Sequence, residues 1–210
     1  PLSNISSSIL PKREDVSKDT NSSEEILEGT MTDLIAAKEK DPSCKYLSEP
    51  LLFFKGFKSL QSHRVASWLW KNSRHTLAHY FQSRTSEVYG VDIHPAAKLG
   101  KGIMIDHGTG VVIGETSVIK DNVSIFQGVT LGGTGKETGD RHPKVMEGVL
   151  LSASSTVLGN VQIGRNAKIA AGSVVLEDVK EGTTVAGVPA KEVSQAVDNV
   201  PADDIDHLIE

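Results

Sequence analysis

The sequence has a single cysteine, few aromatic residues and no long apolar run, and each shortage excludes a class of protein. Cys44 has no second cysteine to pair with, so a fold held by internal disulfides is excluded. No segment approaches the roughly 18–20 apolar residues of a membrane-spanning helix, and no secretory signal pattern opens the chain. The net charge of −5 argues against nucleic acid or an anionic membrane as the main partner.

The first 90 residues are predicted to be helical after a polar start. Residues 1–22 are Ser-rich and aperiodic, which indicates a disordered segment. Ser22 and Glu25 have the spacing of a capping box, so a helix is expected to begin there. It should end ahead of Pro42, because the residue before a proline resists the helical conformation. The apolar content that follows predicts a helical cap or oligomerisation region over residues 23–90.

An aliphatic residue recurs at every sixth position between Ile93 and Val175. The second run is displaced by two residues from the first, and an excursion precedes the third: Ile93, Leu99, Ile105, Val111; Ile113, Ile119, Ile125, Leu131; Val145, Leu151, Val157, Ile163, Ile169, Val175. A period of six fits neither a helix nor an alternating strand. It fits a parallel β-helix, in which three short strands complete one coil and equivalent side chains stack. We therefore expect an α+β fold, with the β-helix over residues 91–192.

Two segments fall outside this register. Residues 132–144 are polar and glycine-rich, so we expect one loop that protrudes from the β-helix, and such loops are where sites are often built. Residues 193–210 are acidic with a weak helical pattern, which predicts a flexible tail. A docking peptide at its last five residues is the alternative.

Three histidines of the β-helix region have polar neighbours and are candidates for chemistry: His94, His107 and His142. Asp92 precedes His107 by 15 residues, so with about 18 residues per coil its carboxylate can lie on the neighbouring turn. A carboxylate beside an imidazole fixes its tautomer and suits it to take a proton from a hydroxyl. Arg141 is suited to bind a carboxylate. Turn residues with satisfied hydrogen bonds explain the same pattern, and spacing alone leaves both interpretations open.

Six short motifs stand out in the chain: Asp41-Pro42-Ser43-Cys44, Asp92-Ile93-His94-Pro95-Ala96-Ala97, Asp106-His107-Gly108-Thr109-Gly110, Val129-Thr130-Leu131-Gly132-Gly133-Thr134-Gly135-Lys136, Gly139-Asp140-Arg141-His142-Pro143-Lys144 and Ala186-Gly187-Val188-Pro189-Ala190. Together they resemble the motifs of the serine O-acetyltransferases, which are hexapeptide-repeat acyltransferases. The resemblance covers about residues 41–192. It implies a left-handed β-helix, acetyl-CoA as co-substrate, L-serine as acceptor, a place in cysteine biosynthesis, and no metal.

The resemblance also implies roles for individual residues. His107 matches the general base and Asp92 its orienting carboxylate. The residues that match the substrate-binding set are Asp41 and Asp106, for the amino group, and Arg141 and His142, for the carboxylate. The residues that match the cofactor-binding set are Gly133, near the thioester carbonyl, and Ala153, Ala171 and Lys191, along the CoA arm. The resemblance also implies a trimer, in which Asp106-His107 and Arg141-His142 would come from different chains around one site.

Two differences from the family bear on the expected partners. The helical region of about 70 residues is shorter than in the larger members, where it joins two trimers. We therefore expect a homotrimer, with a dimer of trimers as the alternative. The long forms end in an isoleucine that enters cysteine synthase, whereas Glu210 follows Ile209 here, which disfavours that complex.

L-cysteine resembles serine and is expected as a feedback inhibitor. The expected compartment is the cytoplasm, with an organelle left open because the sequence starts at Pro1.

Three other interpretations compete with this one. A sugar or small-alcohol O-acetyltransferase would use the same fold, base and acetyl-CoA, although Asp41, Asp106 and Arg141 favour a zwitterionic acceptor. A zinc protein of the γ-carbonic anhydrase type would use three histidines. The 13- and 35-residue spacings of His94, His107 and His142 do not resemble that pattern. A noncatalytic trimeric scaffold would bind no acetyl-CoA.

Overall fold

The computed structural model describes residues 13–136, 138–195 and 200–205, with side chains from residue 23 onward. Four helices come first: α1 (Arg13–Lys40), α2 (Ser48–Leu52), α3 (Lys55–Lys71) and α4 (His75–Tyr89). Short strands follow: β1 (Val91–Ile93), β2 (Lys98–Leu99), β3 (Met104–Ile105), β4 (Val111–Ile113), β5 (Val118–Ile119), β6 (Ser124–Ile125), β7 (Thr130–Gly132), β8 (Lys144–Val145), β9 (Leu150–Leu151), β10 (Thr156–Leu158), β11 (Gln162–Ile163), β12 (Lys168–Ile169), β13 (Val174–Val175), β14 (Thr183–Gly187) and β15 (Ala190–Gln195). The described part ends with α5 (Pro201–Asp204).

The strands form three parallel sheets, which are the three sides of one solenoid. The first side has the order β1-β4-β7-β10-β13, the second β2-β5-β8-β11, and the third β3-β6-β9-β12-β14 with β15 added antiparallel. The side chains at every sixth position fill the interior, and those of Ile113, Ile119, Ile125 and Leu131 are at most 1% exposed. The predicted α+β fold with a parallel β-helix is confirmed, and its coils are consistent with the left-handed β-helix of hexapeptide-repeat proteins.

The two-residue phase shift in the sequence corresponds to one enlarged corner. Ile93 aligns with Ile113, twenty residues on, whereas Val112 aligns with Thr130, only eighteen residues on. Each step from one side to the next takes six residues in the second coil, so the two extra residues lie between β3 and β4. The corner at residues 106–110 therefore projects further than its counterparts in the later coils.

Helix α1 begins ten residues before Ser23, the first helical residue that the capping box predicts. It starts at Arg13, so Ser22 and Glu25 lie inside it and do not form the expected capping box. The predicted disordered segment 1–22 is helical from residue 13, and residues 1–12 lie outside the described part. A solvated helix can consist largely of acidic and basic residues, so a polar, aperiodic composition does not by itself indicate disorder. The predicted end ahead of Asp41-Pro42 is confirmed, because α1 ends at Lys40.

A buried carboxylate joins α1 to the rest of the molecule. Asp33, which is fully buried, accepts hydrogen bonds from the Arg64 guanidinium at 2.6 and 2.8 Å and from Gln61 Nε2 at 3.0 Å, both on α3. It also accepts the backbone N–H of Ile103 in the first coil at 3.1 Å. Burial raises the pKa of Asp33, and the Arg64 charge opposes that rise. The helices and the β-helix are therefore packed as one body.

The sequence predicts a flexible tail from residue 193, and the structure differs. Strand β15 continues to Gln195, and α5 packs against the third side. Ala202 is fully buried, and its carbonyl accepts a hydrogen bond from Ser124 Oγ at 2.7 Å. Asp203 lies 3.6 Å from the ammonium of Lys40 at the end of α1. These partners are distant in sequence, so the acidic composition of the tail does not reveal them. Residues 196–199 and the proposed docking peptide lie outside the described residues.

No helix within the described ranges combines the length and the apolar character that crossing a bilayer requires.

The buried His63 on α3 is expected to make the free energy of unfolding depend on pH. Burial is the largest cause that lowers its pKa, to about 3, and the Arg64 charge lowers it further. The unfolded chain binds a proton at this imidazole near pH 6.5, so the folded state holds fewer protons between about pH 6.5 and 3. The stability is therefore expected to fall as the pH falls through that window.

Replacing His63 by asparagine should remove this dependence. Between pH 7 and pH 5, the free energy of unfolding of the wild type should drop by about 2 kcal/mol more than that of the variant. Urea unfolding at both pH values measures the difference. Equal drops in the two proteins would show that His63 does not titrate as expected.

Candidate active site

The enlarged corner between β3 and β4 presents an imidazole to solvent. His107 adopts a left-handed backbone conformation with φ of 55°, and its side chain is 70% exposed. Its backbone N–H donates to Asp106 Oδ1 at 2.8 Å, and its Nε2 lies 3.5 Å from Asp106 Oδ2. Gly108 and Gly110 follow at φ of 74° and 81°, values that glycine adopts readily. The corner thus directs His107 outward and away from the core.

A cavity of about 300 Å³ lies between this corner and the helices. Asp41, Asp106 and His107 line it, so the structure brings together three of the predicted site residues from two distant parts of the chain. Asp41 is oriented by its own turn, since its Oδ1 accepts the backbone N–H of Ser43 at 2.8 Å. Two carboxylates and an imidazole around one cavity can bind an ammonium group and accept a proton from a neighbouring hydroxyl.

Sequence reasoning missed other residues around this cavity. Phe53 and Lys55 also line it, although the apolar pattern placed Phe53 only within a helical cap. The side chain of Phe53 is 71% exposed, which is unusual for so large an apolar group. Lys55 donates a hydrogen bond to Thr109 Oγ1 and so joins the start of α3 to the His107 corner. No spacing in the sequence pointed to either residue.

The protruding loop between β7 and β8 carries Arg141 and His142, and both residues make hydrogen bonds to the hydroxyl group of Thr116. Thr116 Oγ1 accepts the backbone N–H groups of Arg141 at 3.0 Å and of His142 at 3.1 Å, and lies 2.8 Å from His142 Nδ1. The backbone N–H of Thr116 also donates to Nδ1 at 3.2 Å. Nδ1 is therefore the acceptor nitrogen, and Nε2 carries the proton of the neutral ring. His142 is 7% exposed, and burial lowers its pKa, so the ring offers a neutral N–H donor.

Two neighbours of this loop were not predicted. Glu115 Oε2 accepts a hydrogen bond from Arg141 Nη2 at 2.8 Å, and this bond lowers the pKa of Glu115. Gly114 leaves room for the His142 ring, because a Cβ atom at this position would lie 2.1 Å from it. Residues that follow β4 thus hold the guanidinium and the imidazole in place.

The two groups of residues lie on different edges of the solenoid. Asp106 and His107 occupy the corner that joins the third side to the first, which we call the His107 edge. Arg141 and His142 occupy the corner that joins the first side to the second, which we call the Arg141 edge. The strands of the first side separate these edges. Within one chain, the structure therefore does not bring these two groups of predicted site residues together.

Asp92 lies on β1, beside the His107 corner. A Cβ atom at Gly108 would lie 3.1 Å from Val91 Cγ2, so the corner rests against this strand. Asp92 Oδ1 accepts a hydrogen bond from Gln82 Nε2 at 2.7 Å. The carboxylate that the structure places near His107 is that of Asp106, so the pairing of Asp92 with His107 stays a prediction.

The candidate CoA residues are distributed over both edges. Ala153 and Ala171 lie at the His107 edge on successive coils, where the Gly172 N–H donates to the Ala153 carbonyl at 2.9 Å. Gly133 lies at the Arg141 edge, where a Cβ atom would come within 3.4 Å of Arg141. Lys191 is exposed on β15. Within the described ranges, no group of three or more histidine, cysteine or acidic side chains is arranged to hold a metal ion.

Curated relatives match most of the chain, and two family models match parts of it. The model described as "Serine acetyltransferase, N-terminal" matches residues 4–62, and "Bacterial transferase hexapeptide (six repeats)" matches residues 142–177. The serine acetyltransferase of Salmonella typhimurium is 49% identical over 205 residues, which cover 96% of this chain and 75% of the relative. That of Haemophilus influenzae is 52% identical over 193 residues, covering 92% and 72%.

Solved structures of similar proteins include three with bound ligands. A serine acetyltransferase in complex with cysteine has a TM-score of 0.88 and 51% identity, covering 93% of this chain and 76% of the other. The protein from Brucella abortus in complex with coenzyme A has a TM-score of 0.83 and 48% identity, covering 88% and 74%. The protein from Neisseria gonorrhoeae in complex with serine has a TM-score of 0.81 and 53% identity, covering 86% and 74%.

Proposed function

The chain belongs to the serine acetyltransferase family, and from that premise we propose that it transfers the acetyl group of acetyl-CoA to the hydroxyl of L-serine. The products are O-acetyl-L-serine and CoA. We assign this reaction to these residues because Asp41, Asp106 and His107 line one cavity. The expected place of this reaction is cysteine biosynthesis.

His107 acts as the general base in the proposed mechanism. Its imidazole takes the proton from the serine hydroxyl while the oxygen attacks the thioester carbonyl, which forms a tetrahedral oxyanion. A backbone N–H near Gly133 stabilises the negative charge on that oxygen. The C–S bond then breaks, and the departing thiolate takes the proton from the imidazolium, which regenerates neutral His107. Asp92 holds the imidazole in the productive tautomer.

Charge complementarity binds the zwitterionic acceptor. Asp41 and Asp106 attract the ammonium group, and the Arg141 guanidinium pairs with the carboxylate. The neutral His142 ring adds its Nε2–H as a hydrogen-bond donor to the same carboxylate. A sugar has neither charge, so this set favours serine over the alternative acceptor class.

A homotrimer completes the site in this proposal. Each chain offers a His107 edge and an Arg141 edge, and a threefold assembly can bring the Arg141 edge of one chain to the His107 edge of the next. The CoA arm then runs along the cleft, past Ala153 and Ala171 on one wall. Lys191 is proposed as a further contact to the cofactor.

Helix α1 favours the dimer of trimers as a higher assembly. Leu27, Met31 and Ile35 follow one another at four-residue spacing and are 62, 48 and 46% exposed. Such a stripe on one helix face is suited to pack against another apolar surface. The helical region over residues 23–90 is therefore the proposed oligomerisation region. The buried, unpaired Cys44 fits a reducing compartment, and we propose the cytoplasm.

Acceptor selectivity tests the proposed function. We expect consumption of acetyl-CoA with L-serine and little or none with L-threonine, L-homoserine or a galactoside. The loss of thioester absorbance measures the rate, because it does not respond to added thiols. Addition of L-cysteine should slow the reaction by competing with serine for the same cavity.

The alternatives give different results in the same assay. Turnover with the galactoside alone would identify a sugar acetyltransferase, and the absence of turnover with every acceptor would favour the scaffold interpretation. A rate that stays constant as L-cysteine is raised would reject inhibition at the serine site.

A further inference from the structure

A glutamine on α4 connects that helix to the first strand of the β-helix. Gln82 Nε2 donates a hydrogen bond to Asp92 Oδ1 at 2.7 Å, and Gln82 Oε1 lies 3.1 Å from His79 Nδ1. Neither Gln82 nor His79 belongs to the motifs that resemble the family. The two side chains nevertheless form a series of hydrogen bonds that runs from the surface of α4 to Asp92, the carboxylate that is proposed to orient the base.

The chemistry of the three groups fixes the direction of both hydrogen bonds. An ionised carboxylate only accepts, so the amide NH₂ of Gln82 faces Asp92 and the amide oxygen faces His79. His79 Nδ1 must then carry a proton in order to donate to that oxygen. The His79 ring is held in turn by edge-on packing against Trp70 at 5.2 Å and against His94 at 5.5 Å between ring centroids. The amide of Gln82 therefore has one orientation that satisfies both neighbours.

We propose that Gln82 is a positioning residue for the acetyl transfer, and this inference rests on the proposed function. By binding Oδ1 of Asp92, it holds the carboxylate so that Oδ2 is presented to the imidazole of His107. The Gly108 contact with Val91 brings the His107 corner against the strand that carries Asp92. Gln82 acts only through Asp92 and touches neither substrate.

Replacement of Gln82 by leucine should lower kcat roughly tenfold, the usual scale for one hydrogen bond to a charged group. The KM values for serine and acetyl-CoA should stay unchanged, because the substrate contacts remain. Gln82→Glu should lower kcat at least as much, since a second carboxylate would face Asp92 without a donor. Gln162→Leu makes the same chemical change at an exposed side chain on β11 and should retain wild-type kinetics.

A double-mutant cycle separates positioning from a structural role. In an Asp92→Asn background, Gln82→Leu should have no further effect on kcat, because its partner carboxylate is already lost. A tenfold loss of kcat in both backgrounds would overturn the inference by showing that Gln82 acts independently of Asp92. An unchanged kcat in Gln82→Leu or in Asp92→Asn would overturn it as well. A wild-type protein that acetylates no serine would overturn the proposed function itself, which is a distinct result.

Discussion

Replacement of His107 by alanine is expected to lower kcat by roughly 10²–10⁴-fold, the range for loss of a general base. The thermal midpoint of unfolding should change little, because the side chain is 70% exposed and its nearest polar partner is the adjacent Asp106. Steady-state rates with serine and a thermal melt measure the two effects. His107→Asn should behave in the same way, since asparagine tolerates the left-handed conformation of this residue.

A matched control uses another exposed histidine. His75 lies at the start of α4, away from the cavity, so His75→Ala should keep its activity within a few-fold of the wild type. Loss of the folded state in both His107 variants would assign this residue to structure. Full activity in a folded His107→Asn protein would exclude it as the base.

Mixing two inactive variants is expected to restore activity. In a trimer with each site between two chains, His107→Ala inactivates the half of the site at the His107 edge. Arg141→Ala inactivates the half at the Arg141 edge of the neighbouring chain. Random assembly leaves roughly a quarter of the sites with both halves intact, so about that fraction of wild-type activity should return. The measurement is the rate after joint refolding of the two chains, compared with each variant refolded alone.

The control pair for this experiment shares one half of the site. Asp106→Ala mixed with His107→Ala should restore nothing, because both residues belong to the His107 edge of the same chain. Differently tagged chains allow mixed trimers to be isolated before the assay. Inactive mixed trimers of the His107→Ala and Arg141→Ala chains would contradict a site between subunits.

The β-helix was predictable because its stability depends on a local pattern. Each buried aliphatic residue stacks on its equivalents in the adjacent coils, so the sequence must carry an aliphatic residue at every sixth position. The displacement by two residues at Ile113 is also visible in the sequence, and the strand register shows that it marks the enlarged His107 corner. A phase shift in such a repeat therefore indicates where a corner of the solenoid projects.

The ends of the chain were predicted less well, since their order depends on distant partners. Polar composition indicated disorder, yet α1 is helical from Arg13, and its C-terminal half is anchored through Asp33 to Arg64 on α3. The tail docks because Ala202 fills a space beside the third side and Asp203 meets Lys40. No short-range pattern encodes contacts of this kind.

The sequence by itself determined the fold class and the residue types of the candidate site, because the repeat and the motifs are both local. Only the tertiary structure decided which of those residues meet. It placed Asp41 and His107 around one cavity and put Arg141 on another edge, because the winding of the coils assigns each corner to one edge of the solenoid. It also revealed Thr116 and Gln82, whose roles arise from hydrogen bonds to residues on neighbouring coils and helices.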